Sequence, residues 1–318
     1  MPPDDDPAGV AVRVLVTGGA GFIGSHLCEG LLADGHAVRA LDDLSVGRRE
    51  NVPAACEFVR GSVLDEGALA GAMAGVEAVF HEAARVTVRG SLDAFVEDAE
   101  TNLVGTLRTL RAAHRAGARR FILASSMAVY ADSPDASPVP ETHPLAPTSP
   151  YGVTRLAAER ELMLLGPHLG VETVALRYFN VFGPRQAFTP YVGVATIFAT
   201  QLLAGEPITV FGDGRQTRDF VHVGDVVRAN RLALTAPGAA GQVVNVGSGR
   251  GTTVLALAAT LTARLRPGAP WRHAPARAEE LRHSVADLTS ARAVLGYAPT
   301  TDLEARVDEV IASVRGSS

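Results

Sequence analysis

The sequence predicts an α/β fold, a Rossmann-type doubly wound parallel sheet with a smaller mixed C-terminal lobe. Three observations carry this. A β-branched apolar run breaks into a glycine-rich turn and resumes at helical spacing between Val12 and His26. Short apolar runs then alternate with helix-period segments as far as Leu176, the pattern of a mostly parallel sheet. Beyond Arg177 the alternation loosens into shorter pieces separated by glycine turns.

The first run is Val12 to Val16, and Phe22, Ile23, Leu27 and Leu31 set the period of the helix that follows. Between them lies Thr17-Gly18-x-x-Gly21-x-x-Gly24. In a dinucleotide fingerprint the first glycine turns the chain, the second admits a pyrophosphate to the backbone, and the third allows close packing of the helix on its strand. The phosphates would sit on the free N–H groups of the helix N-terminus. A second strand, His36 to Leu41, ends in Asp42-Asp43, about twenty residues on, where a carboxylate accepts the ribose hydroxyls of NAD. Arg48 and Arg49 lie close enough in sequence to leave a 2′-phosphate open.

Further strands are expected at Cys56 to Arg60, Ala78 to His81, Phe121 to Ala124 and Glu172 to Leu176, with helices at Glu66 to Met73, Ala94 to Ala116 and Tyr151 to Leu165. A proline-rich loop spans Ser133 to Pro150. Ligands are expected across the carboxyl ends of the strands. Turns at Phe211 to Gly214 and Asn245 to Gly249 and a last helix at Leu303 to Val314 mark the second lobe. The expected division is a disordered tail at 1–11, a dinucleotide-binding domain at 12–177, and at 178–315 a lobe interleaved with the first.

Composition excludes several alternatives. All 29 basic residues are arginine, so a lysine Schiff base and a Walker lysine are ruled out. A net charge of −5 with scattered arginines gives no nucleic-acid footprint. No apolar run is long enough for a membrane span, and a soluble cytoplasmic protein is the expectation. Cys28 and Cys56 suggest neither a disulfide framework nor a metal site, and His81, His222 and His283 share no ligand spacing. No metal is expected.

Further motifs follow in order: His81-Glu82-Ala83-Ala84, Asn102-x-x-Gly105-Thr106, Ser125-Ser126-x-x-Val129-Tyr130, Tyr151-x-x-x-Arg155, the run from Arg177 to Pro184, and Arg218-Asp219-Phe220. With the glycine turn and Asp42-Asp43, this set resembles the extended short-chain dehydrogenase/reductases, and among them the NAD-dependent nucleotide-sugar epimerases and dehydratases, from about Val12 to Val314. The resemblance implies Tyr151 as acid/base, Ser126 as its hydrogen-bonding companion on the same sugar oxygen, and Arg155 beside them. It implies that Gly18, Gly21, Phe22, Ile23, Gly24, Asp42, Asp43, Ala83, Asn102, Tyr151 and Arg155 line an NAD site. Ser126, Asn180, Arg218, Arg277 and Glu280 would hold a nucleotide sugar, with a UDP-sugar the expected one, and the segments Tyr191 to Phe198 and Thr252 to Thr253 would close over it. A homodimer built on the helices at 94–116 and 151–165 is also implied. Leu103, Leu107, Leu110 and Leu156 suit that interface and a core equally.

Two departures from the family pattern stand out. Relatives carry lysine where this chain has Arg155, which sits one helical turn from Tyr151 and keeps a positive charge there without a proton to give up. Glu82 stands where relatives commonly have an apolar residue; it either pairs with Arg85 or Arg155 or is a tolerated loop carboxylate. Met127-Ala128 follows Ser126, and neither side chain can carry a proton. The extra acid or base of dehydratases, decarboxylases and 3,5-epimerases is therefore missing, whereas 4-epimerisation by one tyrosine and one retained NAD needs none. A keto-sugar reductase or dehydrogenase on the same scaffold, or a binding-only relative impaired at Arg155, are the alternatives.

Overall fold

The computed structural model describes residues 11–86, 92–133, 135–187, 193–276 and 281–316. Seven parallel strands form the main sheet: β1 (Arg13–Thr17), β2 (Ala37–Asp42), β3 (Glu57–Arg60), β4 (Ala78–His81), β5 (Arg120–Ser126), β6 (Glu172–Tyr178) and β10 (Gln242–Val246). Their spatial order is β10-β6-β5-β4-β1-β2-β3. The order reverses between β1 and β4, which opens a crevice above their carboxyl ends.

Side chains alternate across this sheet, and both faces are covered. Val14, Val16, Phe80, Ile122, Val174 and Leu176 pack on one side with α1 (Phe22–Ala33) and α7 (Val223–Thr235). Leu15, Val79, Phe121, Leu123 and Ala175 pack on the other with α2 (Glu66–Met73), α4 (Gly105–Arg115) and α5 (Pro150–Leu169). The helix expected from Ala94 to Ala116 is interrupted. A short α3 (Phe95–Ala99) runs into a π-helical turn, Glu100–Val104, before α4 begins.

A second core gathers Phe182, Phe198, Ile208, Phe220, Leu257, Leu261 and Val307. Around it lie β7 (Asn180–Phe182), α6 (Val194–Leu203), β8 (Ile208–Phe211), β9 (Thr217–His222), β11 (Gly251–Thr253), α8 (Val254–Leu265), β12 (Trp271–Ala274), β13 (His283–Ser284) and α10 (Leu303–Gly316), whereas α9 (Thr289–Leu295) packs Ala291 and Leu295 into the first core. β9 is the centre of a small sheet, parallel to β7 and β13 and antiparallel to β11. Between β9 and β11 the chain returns to the main sheet and adds β10 beside β6. Asp219 ties the two parts together: its buried carboxylate accepts from the backbone N–H groups of Ser248, Gly249 and Ala286.

Arginine also does local structural work in this lysine-free chain. The guanidinium of Arg120 reaches the carbonyls of Ala233, Leu234 and Ala236 at the end of α7. Arg39 does the same for Ala72 and Ala74 at the end of α2. Both satisfy carbonyls that a helix C-terminus leaves without partners. Among the described residues no helix is long and apolar enough to cross a membrane, and no group of His, Cys, Asp and Glu is arranged to hold a metal ion.

Candidate active site

The turn after β1 has the geometry a dinucleotide requires. Gly18 has φ +69°, and a Cβ there would lie 2.8 Å from the Ala83 nitrogen, so a side chain is excluded by conformation and by space. At Gly24 a Cβ would fall 2.2 Å from the Gly18 carbonyl oxygen. The close packing expected of the third glycine is thus against the turn itself rather than the body of the strand. α1 starts at Gly21 without a side-chain cap and without an acidic residue in its first turn. By contrast Asp65, Ser149 and Thr253 cap α2, α5 and α8. The N–H groups of Phe22, Ile23 and Gly24 are therefore left for an anion, and the pyrophosphate of a dinucleotide fits.

Asp42 ends β2 in a buried position, where its two oxygens accept from the backbone of Leu44 at 2.8 Å and Ala20 at 3.0 Å. Burial raises its pKa, against the pull of those N–H groups. Asp43 is exposed and turns to Ser45. Arg48 pairs with Glu50, and Arg49 stacks 4.6 Å over Phe58.

A buried relay joins β1, β4 and the π-helical turn. The N–H of Ala83 donates to Thr17 Oγ at 3.2 Å, and Thr17 Oγ lies 2.9 Å from His81 Nδ1. On the other side of the ring, Nε2 lies 3.0 Å from Thr106 Oγ, which donates to the Asn102 carbonyl at 2.7 Å. Because Thr106 spends its proton on that carbonyl, His81 must donate from Nε2 and accept at Nδ1. Burial, with the Arg155 charge, pushes His81 down to about 3, which keeps it neutral. Asn102 clasps the backbone of Arg85 through both its oxygen and its nitrogen. The loop after β4 is thereby fixed against the glycine turn.

α5 delivers the other groups. Ser149 caps it from 3.1 Å and Pro150 occupies its first turn, a start preorganised for a helix. Tyr151, Arg155 and Glu159 follow at intervals of four and share one face, all three buried. A Cβ at Gly152 would meet the Ala128 carbonyl at 2.3 Å, so the start of α5 presses on the turn Met127–Val129 that Ser126 caps from 3.2 Å. Tyr151 precedes Gly152 on one side of that contact, and Ser126 caps the turn on the other. Arg155 is 2% exposed, and its Nε and Nη1 have no hydrogen-bond partner among the described residues.

The next residue on that face behaves differently. Glu159 receives Nε and Nη2 of Arg177 at 3.0 and 2.6 Å and the Ser125 hydroxyl at 2.8 Å. Arg177 Nη1 reaches the Tyr130 hydroxyl at 2.8 Å, which donates to Asn245 at 2.6 Å. Sequence reasoning assigned no role to Glu159 or Tyr130. The four-residue spacing from Arg155 was the available signal.

Asn180 opens β7 with a buried Oδ1 that has no hydrogen-bond partner among the described residues, and Arg218 lies buried on the adjacent β9. Thr252 pairs with Arg218 in register. Arg277, Glu280 and Tyr191 lie outside the described residues. Glu82 pairs with neither arginine named for it: its carboxylate accepts from the Tyr178 hydroxyl at 2.8 Å, and Arg85 pairs with Asp98. Leu110 is core, and Leu156 packs against the core.

Comparison with known proteins agrees with this geometry. The model of the NAD dependent epimerase/dehydratase family matches residues 14–247. A UDP-glucose 4-epimerase of Mycolicibacterium smegmatis is 40% identical, over 96% of this chain and 100% of its own length. The structure of the Thermotoga maritima UDP-glucose 4-epimerase with UDP-glucose superposes with a TM-score of 0.91 at 36% identity, covering 96% of this chain and 99% of that one. That of the Thermus thermophilus UDP-glucose 4-epimerase with NAD gives 0.88 at 36% identity, covering 96% and 100%.

Proposed function

The chain belongs to the NAD-dependent epimerase/dehydratase family, and from that premise we propose that it is an NAD-dependent nucleotide-sugar 4-epimerase acting on a UDP-sugar. The observation that carries this reading is one buried phenol, Tyr151, on the same helix face as a buried guanidinium with donors to spare, next to a turn whose Met127 and Ala128 carry no proton.

Bound NAD supplies a reversible hydride acceptor. Tyr151 takes the proton of the sugar C4 hydroxyl, and Ser126 hydrogen-bonds the same oxygen. Arg155 directs its spare donors to the ribose next to the nicotinamide and sets a fixed positive charge beside the phenol. Asn180 and Arg218, with Arg277 and Glu280, grip the nucleotide diphosphate, so binding remote from C4 holds the reacting geometry. Tyr151 returns its proton after the ketone has presented its other face, so one phenol serves both half-reactions.

Purified protein incubated without added NADH with UDP-glucose, UDP-N-acetylglucosamine or UDP-glucuronic acid, each followed by proton NMR, should yield the C4 epimer of at least one. A net change of oxidation state would favour the reductase reading, and no turnover with NAD bound would favour the binding-only one.

The protein acts as a cytoplasmic homodimer in this reading. Phe95 at 58% and Leu164 at 60% exposure, with Val96, Val104 and Val153, leave an apolar face on α3, the π-helical turn and α5 that a second copy would cover. Light scattering should report a dimer for the wild type and a monomer for Leu164→Arg. A wild-type monomer would end this part of the reading.

A further inference from the structure

The two halves of α1 are held by different parts of the molecule. Its C-terminal half meets α7: a Cβ on Gly30 would fall 2.6 Å from Val227 Cγ1, and Arg231 pairs with Asp34. Its first two turns, which carry the N–H groups left for an anion, meet Arg185 instead. There Nη1 donates to Ser25 Oγ at 3.2 Å and Nη2 donates to the Glu29 carboxylate, one helical turn further on. The backbone N–H of Arg185 donates to Ser313 Oγ of α10 at 3.0 Å. Arg185 itself follows β7, the strand that Asn180 opens.

This bridge leads into the anion site. The Ser25 hydroxyl donates to the Phe22 carbonyl at 3.2 Å, and His26 Nδ1 lies 2.9 Å from the same oxygen, to which it must donate because a carbonyl cannot. That carbonyl shares a peptide unit with the Ile23 N–H. Through Ser25, Arg185 therefore fixes the direction of an N–H that meets the pyrophosphate in the proposed function.

The backbone shows a cost incurred at this position. Arg185 has φ +66°, a conformation that favours glycine and strains other residues. Among the described residues Leu44 is the other non-glycine with positive φ, in the loop whose N–H Asp42 accepts. Both strained residues thus flank the dinucleotide site. An ion pair as open to water as Arg185 with Glu29, at 30% and 46% exposure, returns little stability to the fold.

We propose that Arg185 is a positioning residue for cofactor retention, clamping the first two turns of α1 to the segment after β7 and to α10 so that NAD stays bound. This rests on the reading of the chain as an epimerase that keeps one NAD through both half-reactions.

Arg185→Gly removes the guanidinium and relieves the backbone. Release of NAD from the loaded protein, followed with a dehydrogenase that consumes free cofactor, should then be about tenfold faster, the scale of losing hydrogen bonds to a charged group. Amide hydrogen exchange in the loaded protein should quicken over the first two turns of α1 and stay level in α7 and the main sheet. Glu29→Gln, which takes only the charge from the clamp, should speed release about threefold, and it decides alone if Arg185→Gly does not fold. Arg119→Met, which breaks an exposed pair with Glu77 at the amino ends of β4 and β5, should leave release unchanged. Unchanged release in the clamp variants overturns the proposal. Exchange that quickens across the sheet as well overturns it too, because the arginine then serves the fold alone. If release behaves as expected and no UDP-sugar is turned over, the 4-epimerase reading fails and the clamp stands; if C4 epimers form and release is unchanged, the reverse holds.

Discussion

Two buried arginines lie within reach of α5, and the protein treats them in opposite ways. Arg177 has every nitrogen engaged: two on Glu159, the third on the Tyr130 hydroxyl and the Glu141 carbonyl, with its ring partner Tyr130 at 4.8 Å. Burial works against its charge, and Glu159 and Tyr130 together more than restore it. Arg155, on α5 one turn before Glu159, leaves Nε and Nη1 without partners among the described residues. A buried ion costs several kcal/mol unless its donors are met. In the proposed function, a fold that meets every donor at one position and leaves two open four residues before the partner carboxylate keeps one arginine for structure and one for a ligand.

Replacing each arginine by methionine sharpens this contrast, with the largest expected effect at Arg177. Arg177→Met strands the Glu159 carboxylate in the core, and urea unfolding should show a loss of about 3–5 kcal/mol. Arg155→Met removes a charge with no bonded partner, so stability should hold or rise. Turnover should nevertheless fall about a hundredfold or more, the scale for removing one electrostatic contact to a reacting centre. Equal destabilisation of the two variants would erase the distinction between them.

Much of this was readable from residue order. The glycine spacing placed the β1 turn, Asp42 marked the end of β2, and the alternation of apolar runs gave the parallel sheet, because these depend on local period and local turn chemistry. The family resemblance singled out Tyr151 and Arg155, and helical spacing put them on one face. Three features depended on contacts across the fold and were not readable. β10 joins the sheet beside β6 after the chain has left it, and nothing local in Gln242–Val246 names that neighbour. The π-helical turn at Glu100–Val104 inserts into a stretch whose composition suits one continuous helix. Glu82 finds Tyr178, 96 residues away, rather than a nearby arginine.

The smallest expected effect separates the two regions by pH. Tyr130 and Tyr178 are both buried phenols that accept one hydrogen bond and donate another, Tyr130 between Arg177 and Asn245, Tyr178 between Asn230 and Glu82. Burial pushes Tyr130 up to about 12, against the Arg177 charge, so it keeps its proton from pH 6 to 8.5. The cost of Tyr130→Phe should then be about 1–2 kcal/mol and level across that window. Tyr178→Phe removes the hydrogen bond that favours the ionised form of Glu82. The folded-state pKa of Glu82 lies above the unfolded value, so the stability it contributes is whole at low pH and is lost as pH rises through about 7. Pushing that pKa higher still deepens the loss on the alkaline side. Tyr178→Phe should cost about 1 kcal/mol at pH 6 and measurably more at pH 8.5, in urea titrations run beside Tyr130→Phe. Level costs for both would mean that Glu82 does not change its charge in this range.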